Sequence, residues 1–496
     1  MKTFFGVLLD FIILLLTWPI LLIRTIFNKP DKKDFDVVED PDLDVDTIAQ
    51  HLSEAVQIPT ISMVEEFVDN KQAFYDLHAW LEKTYPEIHK VAEKNLINGF
   101  SLCYYIKGTD PSLKPGIFLS HQDVVPAPAD GWDYPPFSGK ITEDGFVYGR
   151  GSQDMKSHMI CLLEAIEKKL KEGGSYKRDI YLCFGHDEEP GTSFEGAKYI
   201  CEFLQKKGIK AEFVIDEGGA VVDGNMLGVP HALALIGCTE KGNGDLELKV
   251  ERFGGHASNP KPPTADAVLG KAIYKLEKSP MPSKWTNLTK VTAKELAKNC
   301  GGSALGGVFK FALTNRDVLP HLVKFVFTLA SPMTNALVRT TFATTMLWGA
   351  KARNVIPGEA RANINYRMLT TDNYDDVEKH IKKVLGPEVQ VTSIANSPSS
   401  PEADVNAPAY KNLEKSIYES FDDIVVAPYM FIAASDARFY YPLTNDIFRF
   451  DPFVYDMEDQ RRIHGINERC SKDNLRRGTK FFIVCLENMC NPKLDK

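Results

Sequence analysis

Short apolar runs alternate with amphipathic stretches over the first half of the chain. Gly116-Ile117-Phe118-Leu119-Ser120 predicts a buried strand and Met159 to Leu170 has helical spacing. Asp179 to Gly185 predicts a second buried strand, Gly196 to Gln205 a helix, and Ala211 to Ile215 a third strand. This βαβα rhythm predicts an α/β fold, a mostly parallel sheet flanked by helices. The rhythm changes near residue 240. Leu246 to Glu251 and Ala360 to Arg367 alternate apolar and polar strictly, as half-exposed antiparallel strands do, with helical candidates at 264–277 and 372–385. Residues 240–397 are therefore expected to form an inserted α+β domain. Ser397-Pro398-Ser399-Ser400-Pro401 reads as the return linker, and 398–496 rejoins 47–239 to complete the first domain. No internal repeat suggests a solenoid.

Two apolar stretches fall outside this rhythm. Phe4 to Phe27 is almost entirely apolar, broken by Asp10 and Trp18-Pro19. At ~1.5 Å per residue it is long enough to cross a bilayer core of roughly 30 Å. No small-x-small cleavage site follows it cleanly, so residues 1–27 read as an uncleaved membrane anchor in preference to a removed signal segment. Residues 28–46, rich in Asp, Lys and Pro, read as a solvated tether. Arg24, Lys29, Lys32 and Lys33 after the segment, against Lys2 before it, place the bulk of the chain in the cytoplasm by the positive-inside rule. The acceptor sequon Asn287-Leu288-Thr289 allows a lumenal location instead. The second stretch, 300–353, is apolar and carries six basic residues (Lys310, Arg316, Lys324, Arg339, Lys351, Arg353) against one acid, Asp317. It reads as an extra pair of core helices, or as a basic apolar surface for an amphiphile or a bilayer.

Composition narrows the function classes. The 496 residues are 44% hydrophobic, ample for a sizeable core and two domains. Net charge is −9, and no basic stripe interleaved with aromatics appears, which argues against nucleic-acid binding. A single long apolar segment argues against a transporter. The 9 cysteines are odd in number, lie mostly in apolar runs and form no CxxC pair, so they read as buried thiols.

Five scattered clusters carry the chemistry. His121 and Asp123 lie two apart after a strand, a spacing that lets Asp123 fix the tautomer of a metal-binding imidazole. Asp154 follows Gly149-Arg150-Gly151 and precedes a helix, where it could equally be a cap. Glu188 and Glu189 follow His186-Asp187 at a strand end; such crowded acids repel one another unless a cation or solvent intervenes. Adjacent carboxylates also allow one to bind metal while the other acts as general base. Asp216 ends another strand before Glu217-Gly218-Gly219, and His464 stands between Ile463 and Gly465. Each has an ordinary alternative: a surface pair, a cap, a solvated loop, a turn. All five, however, fall at the kind of edge where α/β sheets bind ligands. Imidazole with carboxylate and no thiolate suits zinc, with manganese or cobalt as alternatives. Five ligand positions exceed what one catalytic zinc uses, which points to two metals roughly 3.5–4 Å apart.

The ordered motifs SHQDVVPAP, GRGSQDMKSHM, GHDEEPGTSFEGA, IDEGG, GGHASNP, NVIP and RIHGINE resemble those of the aminoacylase/carboxypeptidase zinc peptidases, over nearly the whole chain beyond residue 45. The nearest subgroup holds carboxypeptidase S and N-fatty-acyl-amino acid synthase/hydrolase. The resemblance implies two Zn2+ per subunit in a catalytic domain with an inserted lid or dimerisation domain. It implies that His121 and Asp216 bind one zinc, Glu189 and His464 the other, and that Asp154 bridges them. Glu188 would be the general base and Asp123 the residue orienting His121. His256 resembles a lid histidine that stabilises the oxyanion, often from a partner subunit, so a homodimer is among the expectations. Asn354, Arg367, Asp436 and Arg438 resemble substrate-binding positions. Ser157 departs from the glycine or asparagine of many members without touching a ligand. The implied activity is cleavage, and reversible formation, of the amide of N-acyl and especially N-fatty-acyl amino acids. A carboxypeptidase acting on short peptides and a catalytically silent binding protein are the alternatives. The family points to a lumenal or extracellular catalytic domain, against the flanking charges.

Overall fold

A computed structural model describes residues 2–33, 35–190 and 195–492, so the Gly191–Phe194 part of the GHDEEPGTSFEGA motif lies outside the described residues. Its centre is a nine-stranded sheet. In spatial order the strands are Glu93–Ile97, Ser101–Ile106, Ile180–Gly185, Gly116–His121, Phe213–Asp216, Ile447–Arg449, Ala232–Glu240 and Ile424–Phe431, with Val221–Asp223 paired beside Ala232–Glu240. Gly116–His121 runs parallel to both Ile180–Gly185 and Phe213–Asp216, with His121 opposite Gly185. The strands expected at 116–120, 179–185 and 211–215 are thus the parallel middle of the sheet. Their continuous apolar runs have a physical reason. Ile117, Leu119, Tyr181, Cys183 and Val214 pack on one face with Ala197, Ile200 and Leu204 of the helix Ala197–Lys206. Phe118, Leu182 and Phe184 pack on the other with Met159, Ile160 and Leu163 of the helix Lys156–Lys171. Successive strand residues face opposite sides, so only a run apolar at every position buries both.

The alternating segments form a second sheet, all antiparallel, ordered Thr341–Trp348, Glu359–Met368, Gly242–Glu251 and Gln390–Ser397. Leu246, Leu248, Val250, Ala362 and Ile364 face the helices Ala265–Lys278 and Tyr374–Leu385 in a separate apolar core.

Two segments depart from expectation. Residues 287–338, expected in an inserted domain, do not join the apolar core of the second sheet. Leu288, Ala293, Leu296 and Ala297 join the core of the nine-stranded sheet, and Thr292 Oγ1 donates to Pro428 O at 2.7 Å. Nor do residues 28–46 hang free. Lys33 pairs with Glu414 at 2.9 Å, Phe35 stacks on Tyr418 at 5.6 Å, Val38 N donates to Glu419 O at 2.8 Å, and Asp40 pairs with Lys480 at 2.6 Å. Four of the charges that suggested a solvated tether, Asp31, Lys33, Asp40 and Asp46, pair with side chains far along the sequence. All nine cysteines are free and buried.

Candidate metal centre

His121 leaves the end of its strand buried, at 2% exposure. Its Nδ1 lies 3.0 Å from Asp123 O and 3.4 Å from Asp123 Oδ1. Asp123, fully buried, accepts from Ser62 Oγ and from the backbone N–H of Glu188 (3.3 Å) and Glu189 (3.1 Å). One carboxylate therefore fixes both the imidazole and the acidic loop beside it. With Nδ1 engaged, Nε2 faces the site, 3.0 Å from Asp154 Oδ1 and 3.4 Å from Glu217 Oε1. Asp154 Oδ2 lies 3.0 Å from His464 Nε2, which is 3.0 Å from Glu189 Oε2. Five side chains thus run Glu217, His121, Asp154, His464, Glu189, with Asp154 between the two imidazoles. Glu188 completes the cluster: its carboxylate, His121 and Glu217 offer atoms within 4.8 Å of one another.

Burial pushes the Glu188 carboxyl well up, with Glu217, Asp436 and Glu189 adding to the effect. Burial and then Asp154 raise Glu189 to about 7. Hydrogen bonds to Asp154 and Glu189 raise His464 to about 10. Asp154 stays well below the ordinary carboxylate range: burial opposes this, but both imidazoles outweigh it. Among the described residues, Glu189 Oε1 and Asp436 Oδ2 are buried without a hydrogen-bond partner. Imidazole and carboxylate donors, a carboxylate between two imidazoles and an orphaned buried oxygen fit divalent cations.

The loop carrying Asp154 is shaped by residues far along the chain. Gly149 and Gly151 have φ of +147° and +86°, and a Cβ on either would stand 2.3 or 2.6 Å from Val56 Cγ1 or Val124 Cγ1. Glu468, fully buried, accepts from Gly151 N (2.9 Å), Gln153 N (2.8 Å), Asp154 N (3.2 Å) and Arg150 Nη1 (2.5 Å). Arg150 Nη2 donates in turn to His464 O at 3.0 Å. His464 itself has φ +60°, a conformation few non-glycine residues adopt.

No described contact joins Asp216 to this cluster. Asp216 shares a strand face with Val214, and its Oδ2 accepts from Ala437 N at 2.8 Å. Glu217, one residue on, turns the other way toward His121. The contact of Asp216 fixes the turn Asp436–Phe439, as does Glu240, whose Oε1 accepts from Ser435 N (3.1 Å) and Oγ (2.7 Å). That turn carries Asp436 and Arg438. Burial holds Arg367 below its usual value; Asp245 pulls it up and the nearby Arg438 pulls it down. His256 lies on an exposed ribbon of Gly255–His256 against Val355–Ile356, and Asn354 immediately precedes the second strand. His256 Nδ1 lies 2.7 Å from Ser258 Oγ, and Ala257 N donates to Asn354 O at 3.0 Å. No described hydrogen bond joins this ribbon to the His121–His464 cluster. Three supporting residues, Ser62, Glu217 and Glu468, were not singled out from sequence, although the last two lie inside the motifs IDEGG and RIHGINE.

Residues 117–488 match the family described as Peptidase family M20/M25/M40. The chain is 35% identical over 447 residues to N-fatty-acyl-amino acid synthase/hydrolase of Xenopus tropicalis, covering 89% of this chain and 85% of that protein. It is 36% identical over 448 residues to Probable carboxypeptidase S-like 2 of Dictyostelium discoideum, with 89% and 85% covered. An M20 family metallo-carboxypeptidase of Sulfolobus solfataricus superposes with a TM-score of 0.63 over 90% of this chain and 99% of that one; at 18% identity this speaks for the fold.

Proposed function

Because the chain belongs to Peptidase family M20/M25/M40, a family of metal-dependent enzymes, we propose that it is an amidohydrolase for N-acyl amino acids, fatty acyl groups favoured. One observation carries the chemistry: Glu188 stands beside a run of imidazoles and carboxylates centred on Asp154. Two divalent cations, zinc in this reading, would be held by His121, Asp154, Glu189, Glu217 and His464, and when bound they polarise the amide carbonyl and acidify water. In this assignment Glu217 takes the place that sequence gave to Asp216, because its carboxylate is the one beside His121.

Glu188 takes a proton from the attacking water and delivers it to the leaving nitrogen. Asp123 holds the His121 ring in place through Nδ1. Arg367 and Arg438 would supply the positive charge that receives the substrate carboxylate, with Asp436 on the same turn as Arg438. His256 would donate to the oxyanion, and Asn354 would line the same wall, once the exposed ribbon is carried to a site by closure or by a second copy of the chain; a homodimer is part of this reading. Run backwards, the same groups join a fatty acid to an amino acid, the direction being set by concentrations.

The activity named for the Xenopus relative supports the acyl substrate. The Dictyostelium relative favours a second reading, a carboxypeptidase on short peptides. The binding-protein alternative lacks support, since base and ligand positions are all present. Measured kcat/KM for oleoyl-phenylalanine and for a blocked dipeptide separates the two enzymatic readings. The acyl reading expects the first to be larger, and clear preference for the dipeptide would sink it.

A further inference from the structure

The amino-terminal helix Lys2–Phe27 is fastened along most of its length. Its one acid, Asp10, is 2% exposed, and its carboxylate accepts the backbone N–H of His321 (2.6 Å) and Leu322 (2.8 Å). These are amides in the first turn of the helix Pro320–Ala330, so a side chain of one helix caps another. Farther on, Asn315 Nδ2 donates to Thr25 Oγ1 (3.0 Å) and Leu21 O (3.3 Å), and Asn28 Nδ2 donates to Thr314 Oγ1 (2.8 Å). Asp10 and Asn28 are about 27 Å apart along a helix axis. The helix is therefore held from Asp10 to its carboxyl end by the same two short helices, Ala304–Thr314 and Pro320–Ala330, and by Asn315 beside them. At 11 residues each, those helices are about 16 Å long, too short to cross a hydrocarbon core of roughly 30 Å.

The opposite face of the long helix is open and apolar: Leu16, Ile20 and Phe27 are 78%, 67% and 76% exposed. The short helices add Leu305, Val308 and Leu329 at 54%, 64% and 68%. Charges on and beside these helices are mainly positive, Arg24, Lys29, Lys32, Lys310, Arg316 and Lys324 against Asp31 and Asp317, in a chain of net charge −9. Asp31 is itself paired with Lys298. Apolar side chains bordered by cations are complementary to a bilayer with anionic headgroups.

We propose that the amino-terminal helix and the two short helices form one platform seated in a single leaflet of an anionic bilayer, with both ends of the long helix on the side of the catalytic domain. The helix is then a fixed part of the body, not a spanning anchor on a tether.

The test uses the full chain with a tag at each terminus, inserted into sealed microsomes and treated with protease. Both tags in the same compartment are expected; tags in opposite compartments overturn the proposal. Purified full chain is then floated with phosphatidylcholine vesicles containing or lacking phosphatidylserine. The triple variant Leu305→Ser, Val308→Ser, Leu329→Ser is compared, with circular dichroism and turnover of a short-chain N-acyl amino acid as folding controls. The proposal expects stronger binding with phosphatidylserine and a several-fold loss in the triple variant despite an intact amino-terminal helix. Unchanged flotation overturns it. So does a vesicle-independent dimer that the triple variant dissociates, which would make the face a contact between copies.

Discussion

Glu468→Gln probes how the two halves of the metal centre are held together. The substitution keeps the shape of the side chain and removes its charge. Oε1 accepts the three backbone N–H groups and Oε2 accepts Arg150 Nη1, so in the variant an amide nitrogen must oppose either the guanidinium or the loop amides. Arg150 is 2% exposed and loses its carboxylate partner. Orphaning a buried charge costs roughly 3–5 kcal/mol, and glutamine still accepts one hydrogen bond, so a loss of about 2–4 kcal/mol is expected. The released loop carries Asp154, and Arg150 also holds the His464 carbonyl, so both imidazole–carboxylate contacts loosen together. Removing such a supporting residue typically weakens metal binding by roughly 10–100-fold. Two assays check this: chelator competition for metal affinity, and turnover as a function of added metal. The expected variant needs far more metal yet recovers most of its turnover at saturation. Unchanged affinity and unchanged unfolding midpoint would refute the reasoning, because a residue making these four contacts cannot be replaced silently.

Three further outcomes follow from the geometry. Glu217→Gln is expected to lower bound metal below that of the wild type by elemental analysis, whereas Asp216→Asn retains the metal and instead raises KM by loosening the turn that carries Arg438; the reverse pattern would return the ligand role to Asp216. Glu188→Gln should keep its metal while kcat falls by about 10²–10⁴-fold, and near-normal turnover would remove it as the proton carrier. Lys241, pushed down to about 7 by burial and by Arg367, gives a pH signature. Between about pH 7 and the ordinary lysine value the unfolded chain binds the extra proton, so this group makes stability rise with pH by up to about 1.4 kcal/mol per unit. Urea unfolding at pH 7.5 and 9 should show that gain in the wild type and less of it in Lys241→Met; equal gains would show that Lys241 does not titrate there.

Legibility followed the range of the interaction. The buried parallel strands could be read because every position from Gly116 to His121 is buried, leaving no polar phase to misplace. The alternating strands could be read because one face of Glu359–Met368 is solvated. The centre was legible as clusters at strand ends, but not which of two adjacent acids faces inward. At Asp216-Glu217 a shift of one residue reverses the face, and only the strand's actual end decides it. Glu468 was hidden for a different reason: its partners lie more than three hundred residues away. The packing of 287–338 was hidden likewise, since an apolar stripe says that something covers it and not which core does.

The tie between Glu468 and the Asp154 loop also sets an order of events during synthesis. Glu468 is made 314 residues after Asp154. At ~5–20 residues per second that is roughly 15–60 s in which the nascent chain holds His121 and Asp154, and soon Glu188 and Glu189, without the segment that closes them into a site. Through that interval the loop lacks the carboxylate that collects its amides. The contacts of His464 with Asp154 and Glu189 can therefore form only after the His464–Glu468 segment has emerged, which makes completion of the cluster a late event in the making of the chain.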